Sequence, residues 1–270
     1  MCKILCSTGA IIGRPNGRDY KLLEIFSKQL SCDGFEFMMY DSWYDKTADM
    51  LKFLQCLDLY IPVVHVEKQI GEAISKGEFS DAYRMFETNC FLAKELGATN
   101  LVMHLWDGLT SDAFFDNNIK AYPYLRDTAA KYNLELLIEN VVCNNEDPLS
   151  HWLTLKNEFP DIRFIFDTKM AAFHNQLDLL YSKEYEWLWK EKHIRHFHVN
   201  DYAGGYKEWP KLRTLPIGQG HVDFERFFNF IKEIGYRDTF TIESTAFDSS
   251  GTVDITMLNR QFRYIRESLR

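Results

Sequence analysis

Short apolar runs recur along the chain, each rich in β-branched or aromatic residues and each bounded by turn signals. Eight stand out: "KILCST" (3–8), "GFEFMMY" (34–40), "YIPVVHV" (60–66), "NLVMHLW" (100–106), "LELLIENV" (134–141), "RFIFDT" (163–168), "IRHFHVN" (194–200) and "TFTIES" (239–244). Their length and composition predict strands. Between them the apolar spacing changes to that of a helix. "DYKLLEIFSKQL" (19–30) carries Leu22, Leu23, Ile25, Phe26 and Leu30, and "DAYRMFETNCFLAKELG" (81–97) and "DFERFFNFIKEIG" (223–235) both end in a glycine suited to terminate a helix. The last segment, "DITMLNRQFRYIRESLR" (254–270), is amphipathic throughout. Strand then helix, repeated eight times, predicts parallel strands joined by crossover helices. The expected fold is α/β, a single (β/α)8 barrel forming one domain over residues 1–270. A doubly wound open sheet is the alternative, but no GxGxxG follows the first run.

Composition narrows the partners. Of 270 residues, 46% are hydrophobic and 26% charged, and 31 Lys plus Arg face 39 Asp plus Glu for a net charge of −8. That field opposes phosphate backbones, so no nucleic acid is expected. No apolar run reaches the length of about 20 residues that a membrane span needs. The six cysteines form no CxxC pair, and "MCKILCSTGA" is not a secretory leader, so a cytoplasmic protein with reduced thiols is expected.

Chemistry in a barrel gathers at the carboxyl ends of the strands. Seven of the eight runs place His, Asp or Glu there: Glu36, His65, His104, Glu139, Asp167, His198 and Glu243. Singly, each has an ordinary explanation. His104 reads as a satisfied core histidine, Asp167 as a helix N-cap, and Glu243 as the partner of an arginine. Repeated at successive strands, those explanations leave several carboxylates in apolar surroundings, which is costly unless they are paired or bound to a metal. One divalent cation held by Glu139, Asp167, His198 and Glu243 neutralises three of them at once. Mixed oxygen and nitrogen ligands suit Mn2+, Zn2+ or Co2+ better than Ca2+, with Mg2+ also kept in view.

The residues also resemble a family. "GFEF", "VMH", "LIEN", "FDT", "HFHVND", "PIGQGHVDF" and "TIES", in that order, resemble the xylose isomerase-like TIM barrels, which include sugar isomerases and epimerases, cyclitol dehydratase-like proteins and type-IV AP endonucleases. The resemblance implies a metal site on Glu139, Asp167, His198 and Glu243, with Glu139 and Glu243 also transferring protons. It implies a second metal, or a substrate contact, at His65 and His104. Two departures stand out. Met170 occupies a position where the family often has histidine, and "YAGGYKEWPKLRTLP" (202–216) lacks the Asp-x-His pair of the endonuclease branch. The implied activity is therefore a metal-dependent isomerase or epimerase of a small sugar, sugar phosphate or related hydroxy-carbonyl compound. An endonuclease IV-like phosphodiesterase and a cyclitol dehydratase are the alternatives. Glu36, Lys169 and Trp106 are expected to contact a small carbohydrate, and a homo-oligomer is compatible with the reading.

Overall fold

The computed structural model describes residues 2–270. Eight parallel strands close into a barrel in chain order: β1 (Lys3–Ser7), β2 (Gly34–Met38), β3 (Val63–His65), β4 (Asn100–Met103), β5 (Glu135–Glu139), β6 (Arg163–Asp167), β7 (Ile194–His198) and β8 (Thr239–Ile242). Closure is made by β1 pairing with both β2 and β8. Every strand lies within its predicted run. The helices are α1 (Leu23–Ser27), α2 (Thr47–Gln55), α3 (Gln69–Ser75), α4 (Phe79–Glu95), α5 (Phe115–Lys131), α6 (Pro148–Glu158), α7 (Thr168–Phe173), α8 (Trp187–Lys190), α9 (Phe224–Glu233) and α10 (Ile255–Ser268).

The helices form where the spacing placed an apolar stripe. α9 buries Phe224, Phe227, Phe228 and Ile231, one face of a 3.6-residue turn, and Asp223 caps it by accepting the Arg226 N–H at 2.9 Å. Gly235, at φ 68°, ends it in the left-handed conformation that a glycine tolerates best. α10 repeats the pattern with Leu258, Gln261, Phe262 and Ile265. The predicted helix over 19–30 is shorter. Asp19 caps a 3-10 turn at Tyr20–Leu22, and α1 then runs only to Ser27, with Leu23 alone fully buried. Too little apolar surface is covered there to hold a longer helix.

Side chains alternate between the barrel interior and the helix layer. Leu5, Val63, Val102, Leu137 and Ile165 form a small apolar cluster of their own, separate from the large core beneath the helices. Two residues further along β3, β5 and β6, and at the matching step beyond β4, the same parity brings His65, Glu139, Asp167 and His104 to the barrel mouth. On β7 the steps are His196 and then His198, and Thr241 on β8 is followed by Glu243 just past its end. The site is thus the next pleat above the interior core.

Candidate metal centre at the barrel mouth

Glu139, Asp167, His198 and Glu243 each present a ligand atom within 4.8 Å of the others'. His198 Nδ1 lies 3.2 Å from Glu243 Oε2, 3.5 Å from Glu139 Oε1 and 4.0 Å from Asp167 Oδ2. A second group shares Glu139. His104 Nε2 and His65 Nε2 approach its Oε2 at 3.0 and 3.4 Å. The two groups converge on one crater, and the four proposed ligands and both additional histidines line it.

The supporting structure explains the orientation of each group. Asp167 Oδ1 caps α7 by accepting the N–H groups of Lys169 (2.6 Å) and Met170 (3.1 Å), which leaves Oδ2 facing the mouth. The N-cap and the ligand readings of Asp167 are therefore compatible, one oxygen each. Asn140 clasps the Asp167 backbone, accepting its N–H at 2.6 Å and donating to its carbonyl at 3.0 Å. Asn200 donates to Asp167 Oδ2 (3.3 Å) and Glu243 Oε2 (3.2 Å) and accepts the Glu243 N–H at 3.1 Å. His65 Nδ1 donates to the Val66 carbonyl at 2.8 Å, so its Nε2 is the nitrogen with a free lone pair. His104 Nδ1 is tied to Asp107 Oδ2 at 2.6 Å.

Charge is concentrated. Burial pushes the carboxyl groups of Glu139 and Glu243 up, but His104 and His198 outweigh it at Glu139, and His198 brings Glu243 down to about 2. Asp167 moves the other way, raised by burial and by Glu139 and Glu243 against the pull of Lys169. Burial lowers His198, yet Glu243, Glu36 and Glu139 hold it well above the ordinary imidazole range. The positive charge on His198 thus sits where a divalent ion would stand if Nδ1 gave up its proton.

Three buried polar atoms at this place, His65 Nε2, Glu139 Oε2 and His198 Nδ1, make no aligned hydrogen bond and meet only each other and neighbouring charged groups at 3.0–3.5 Å. An unsatisfied buried group costs roughly 1–3 kcal/mol. Ion-pair contacts among His65, His104, Glu139, His198 and Glu243 offset part of that cost. Their convergence fits a cation held by nitrogen and carboxylate donors.

The remaining sequence candidates separate. Lys169 is buried at the mouth, its Nζ 3.7 Å from Asp167 Oδ2 and 3.2 Å from Thr214 Oγ1. Glu36 is fully buried and pairs in register with Val63, one pleat below His65. It lies under the ligands, because β2 runs two residues further, to Met38. Trp106 is also fully buried. It donates to the Val142 carbonyl at 3.2 Å and packs on Phe115 and His151, away from the crater. His174 is turned to the Cys143 N–H (3.1 Å), so it does not replace the histidine absent at Met170.

Asn140, Asn200 and Lys68 are among the residues that escaped the sequence reading. Asn140 and Asn200 orient Asp167 and Glu243, and their place beside Glu139 and after His198 was the available signal. Lys68 follows β3 and is exposed. Desolvation beside the crater lowers its pKa, but the charges of Glu243, Asp107, Glu139 and Asp167 raise it by more. It is a cation coupled to the whole crater.

Asp201 organises the rim. Its Oδ1 accepts the N–H of Tyr202 (2.8 Å) and Val222 (3.1 Å), and its Oδ2 those of Gly218 (2.9 Å) and Gly220 (2.8 Å). A Cβ on Gly220 would stand 2.3 Å from Asp201 Oδ1, which accounts for glycine there in "GQG". Asp201 also forms a bridge with Leu215.

A family model described as xylose isomerase-like TIM barrel matches residues 26–267. The chain belongs to that family. Solved structures agree on the fold. D-allulose 3-epimerase from Methylomonas sp. is 16% identical with a TM-score of 0.69, over 99% of this chain and 97% of that one. An L-ribulose 3-epimerase is 16% identical with a TM-score of 0.71, over 100% and 95%. A xylose isomerase domain-containing protein from Salmonella typhimurium is 13% identical with a TM-score of 0.72, over 99% and 97%. At such identities the likeness is one of fold. The sequence matches no curated protein. Among the described residues no helix is long and apolar enough to cross a membrane.

Proposed function

We propose that this member of the family is a divalent metal-dependent isomerase or epimerase acting on a small hydroxy-carbonyl sugar. The supporting observation is the convergence of His65 Nε2, Glu139 Oε2 and His198 Nδ1, all buried and unpaired, between two glutamates on non-adjacent strands. Glu139, Asp167, His198 and Glu243 would hold the cation. Bound there, it polarises a substrate carbonyl and stabilises the negative charge that develops on that oxygen.

The chain's own groups move the proton. The Glu243 side chain is 13% exposed against 1% for Glu139, so Glu243 faces the approaching substrate. We assign it the removal of the proton beside the carbonyl, with Glu139, protonated from solvent first, delivering one from the other side and Glu243 then releasing its own to solvent. Return to the same carbon epimerises it, and return to the neighbouring carbon interconverts ketose and aldose. Lys169 and Lys68 supply positive charge and hydrogen-bond donors to substrate hydroxyls. That the solved relatives include D-allulose and L-ribulose 3-epimerases supports a ketose as substrate.

The test is proton exchange. With a panel of ketoses in deuterated water, the wild type should incorporate solvent deuterium beside the carbonyl of its substrate. Glu139→Gln and Glu243→Gln should abolish that incorporation. Exchange at the wild-type rate in both variants refutes the assignment.

A second reading is a two-cation phosphodiesterase, favoured by the shared Glu139 with His65 and His104. The loop 202–216 supplies no histidine for it, and the net charge of −8 disfavours a nucleic-acid substrate. Cleavage of an abasic-site duplex, lost with chelator, would establish that reading instead.

A further inference from the structure

Directly beneath the proposed ligands, one carboxylate receives two imidazoles. Glu36 reaches from β2 across the barrel interior to β7. His198 Nε2 lies 3.0 Å from both of its oxygens, and His196 Nε2 lies 2.9 Å from Oε2. All three side chains are fully buried. Each Nε2 lies within hydrogen-bond distance of Glu36 carboxylate oxygens, the natural acceptors of an imidazole N–H, and so each donates to them. For His198 this decides which nitrogen faces outward: Nδ1, the atom beside Glu139 and Glu243 with no partner of its own. His196 is itself anchored. Its Nδ1 contacts the Thr239 hydroxyl, and its Nε2 lies 2.9 Å from Thr241 Oγ1.

Two other roles for Glu36 fail on the same geometry. It cannot touch substrate, since it is sealed one pleat below the mouth. A cation among Glu36, His196 and His198 would have to displace hydrogen bonds already made, whereas the unpaired atoms all lie on the upper side. Orienting a histidine ligand by a carboxylate on its far nitrogen fixes the tautomer and raises the basicity of the ligating nitrogen.

We propose that Glu36 is the positioning residue for His198, holding Nε2–H so that Nδ1 is presented to the cation, and that His196 fixes Glu36 in turn. This rests on the cation reading above. The readout is cation affinity, measured by chelator competition with Mn2+ and Co2+ on the purified chain. Glu36→Gln keeps the shape of the side chain and removes its charge, and should weaken binding about 10–100-fold, the usual size of such outer contributions. Affinity within twofold of wild type overturns the proposal. A stability control is Phe166→Leu, in the outer core against Phe197 and Trp152. It should lower the melting temperature and leave affinity intact; an equal loss of affinity there would make the effect of Glu36 merely structural and overturn the proposal.

A wild-type measurement covers the case in which Glu36→Gln fails to fold. In the Co2+ protein, the ligated His198 should show a hyperfine-shifted N–H resonance that exchanges slowly with water, because Nε2–H is buried on Glu36. No such protected resonance overturns the proposal. If the wild type binds no divalent cation, the cation reading itself falls and takes this one with it. If the wild type binds and Glu36→Gln binds equally well, only this one falls.

Discussion

Groups with the residue types of a metal site gather in two separate regions of this barrel, the interior with its mouth and a place outside the strands, and only the first has the chemistry. At the mouth, Glu139, Asp167, His198 and Glu243 converge with donor atoms left unpaired. Outside the strands, behind the loop that follows β5, Asp112, Cys143 and His151 lie equally close together. There the carboxylate is saturated. Asp112 Oδ1 accepts the N–H of Asn144 (2.7 Å) and Asn145 (3.0 Å), and Oδ2 accepts that of Glu146 (2.9 Å) and His151 Nε2 at 3.0 Å. None of the three residues contributes an unpaired buried nitrogen or oxygen. Burial also pushes the Cys143 thiol well above its ordinary range, far from the thiolate a cation would need. Asp112 is a clasp for the loop 144–146. Ligand-type residues in proximity do not make a metal centre; lone pairs with nowhere else to go do.

The comparison can be broken most forcefully at the mouth. Glu243→Gln should reduce turnover of the cognate sugar by about 10²–10⁴-fold, the size of a lost general base. Retained turnover would leave the mouth no more catalytic than the outer cluster. Asp112→Ala should do the reverse. It should cost about 2–4 kcal/mol in denaturant unfolding, through those four lost hydrogen bonds and a fifth from the Ser111 hydroxyl (3.3 Å), with cation stoichiometry unchanged. Loss of bound cation in that variant would erase the distinction.

A third test uses pH. His174, beside the outer cluster, is lowered from 6.5 to about 4, first by burial and then by Lys207. Between those values the unfolded chain binds more protons than the folded one, so stability rises with pH across that window. Acidification from pH 7 to about 4 should therefore remove up to roughly 3 kcal/mol. His174→Gln, which can still accept from the Cys143 N–H, should flatten that part of the profile; an unchanged slope would show that His174 is not kept neutral. The smallest effect is expected at Lys207, whose exposed Nζ reaches the carbonyls of Asn144 (3.3 Å) and Glu146 (3.2 Å). Lys207→Ala should cost less than about 1 kcal/mol in the same unfolding experiment, with turnover unaffected. A large loss of turnover would place that lysine in the site instead.

Most of the mouth was legible in the sequence, because a strand has a period of two and the barrel turns parity into position. Once Val63, Val102, Leu137 and Ile165 are recognised as interior, His65, His104, Glu139 and Asp167 follow two residues later. Glu36 misled for the same reason. It has the right parity, but its height depends on where β2 ends, and strand ends are poorly marked by composition. His196 was overlooked although it shares its face with His198. Asp112 and His151 were not legible at all. They come from a loop and from α6, and no local pattern states that such segments will meet.

The clasp at Asp201 has a further consequence for how this barrel can change. Its bridge to Leu215 ties off the segment between them at the neck, while its carboxylate holds Gly218 and Gly220 on the far side of the knot. The tied segment is still anchored from outside: His221, just before α9, gives its N–H to the Tyr202 carbonyl (2.9 Å) and its ring nitrogen lies 2.7 Å from the Gly204 carbonyl. A lineage that rebuilt the stretch between Gly205 and Thr214 could leave both of these contacts, and the placement of His198, as they are. The aspartate marks the border at which such rebuilding would stop.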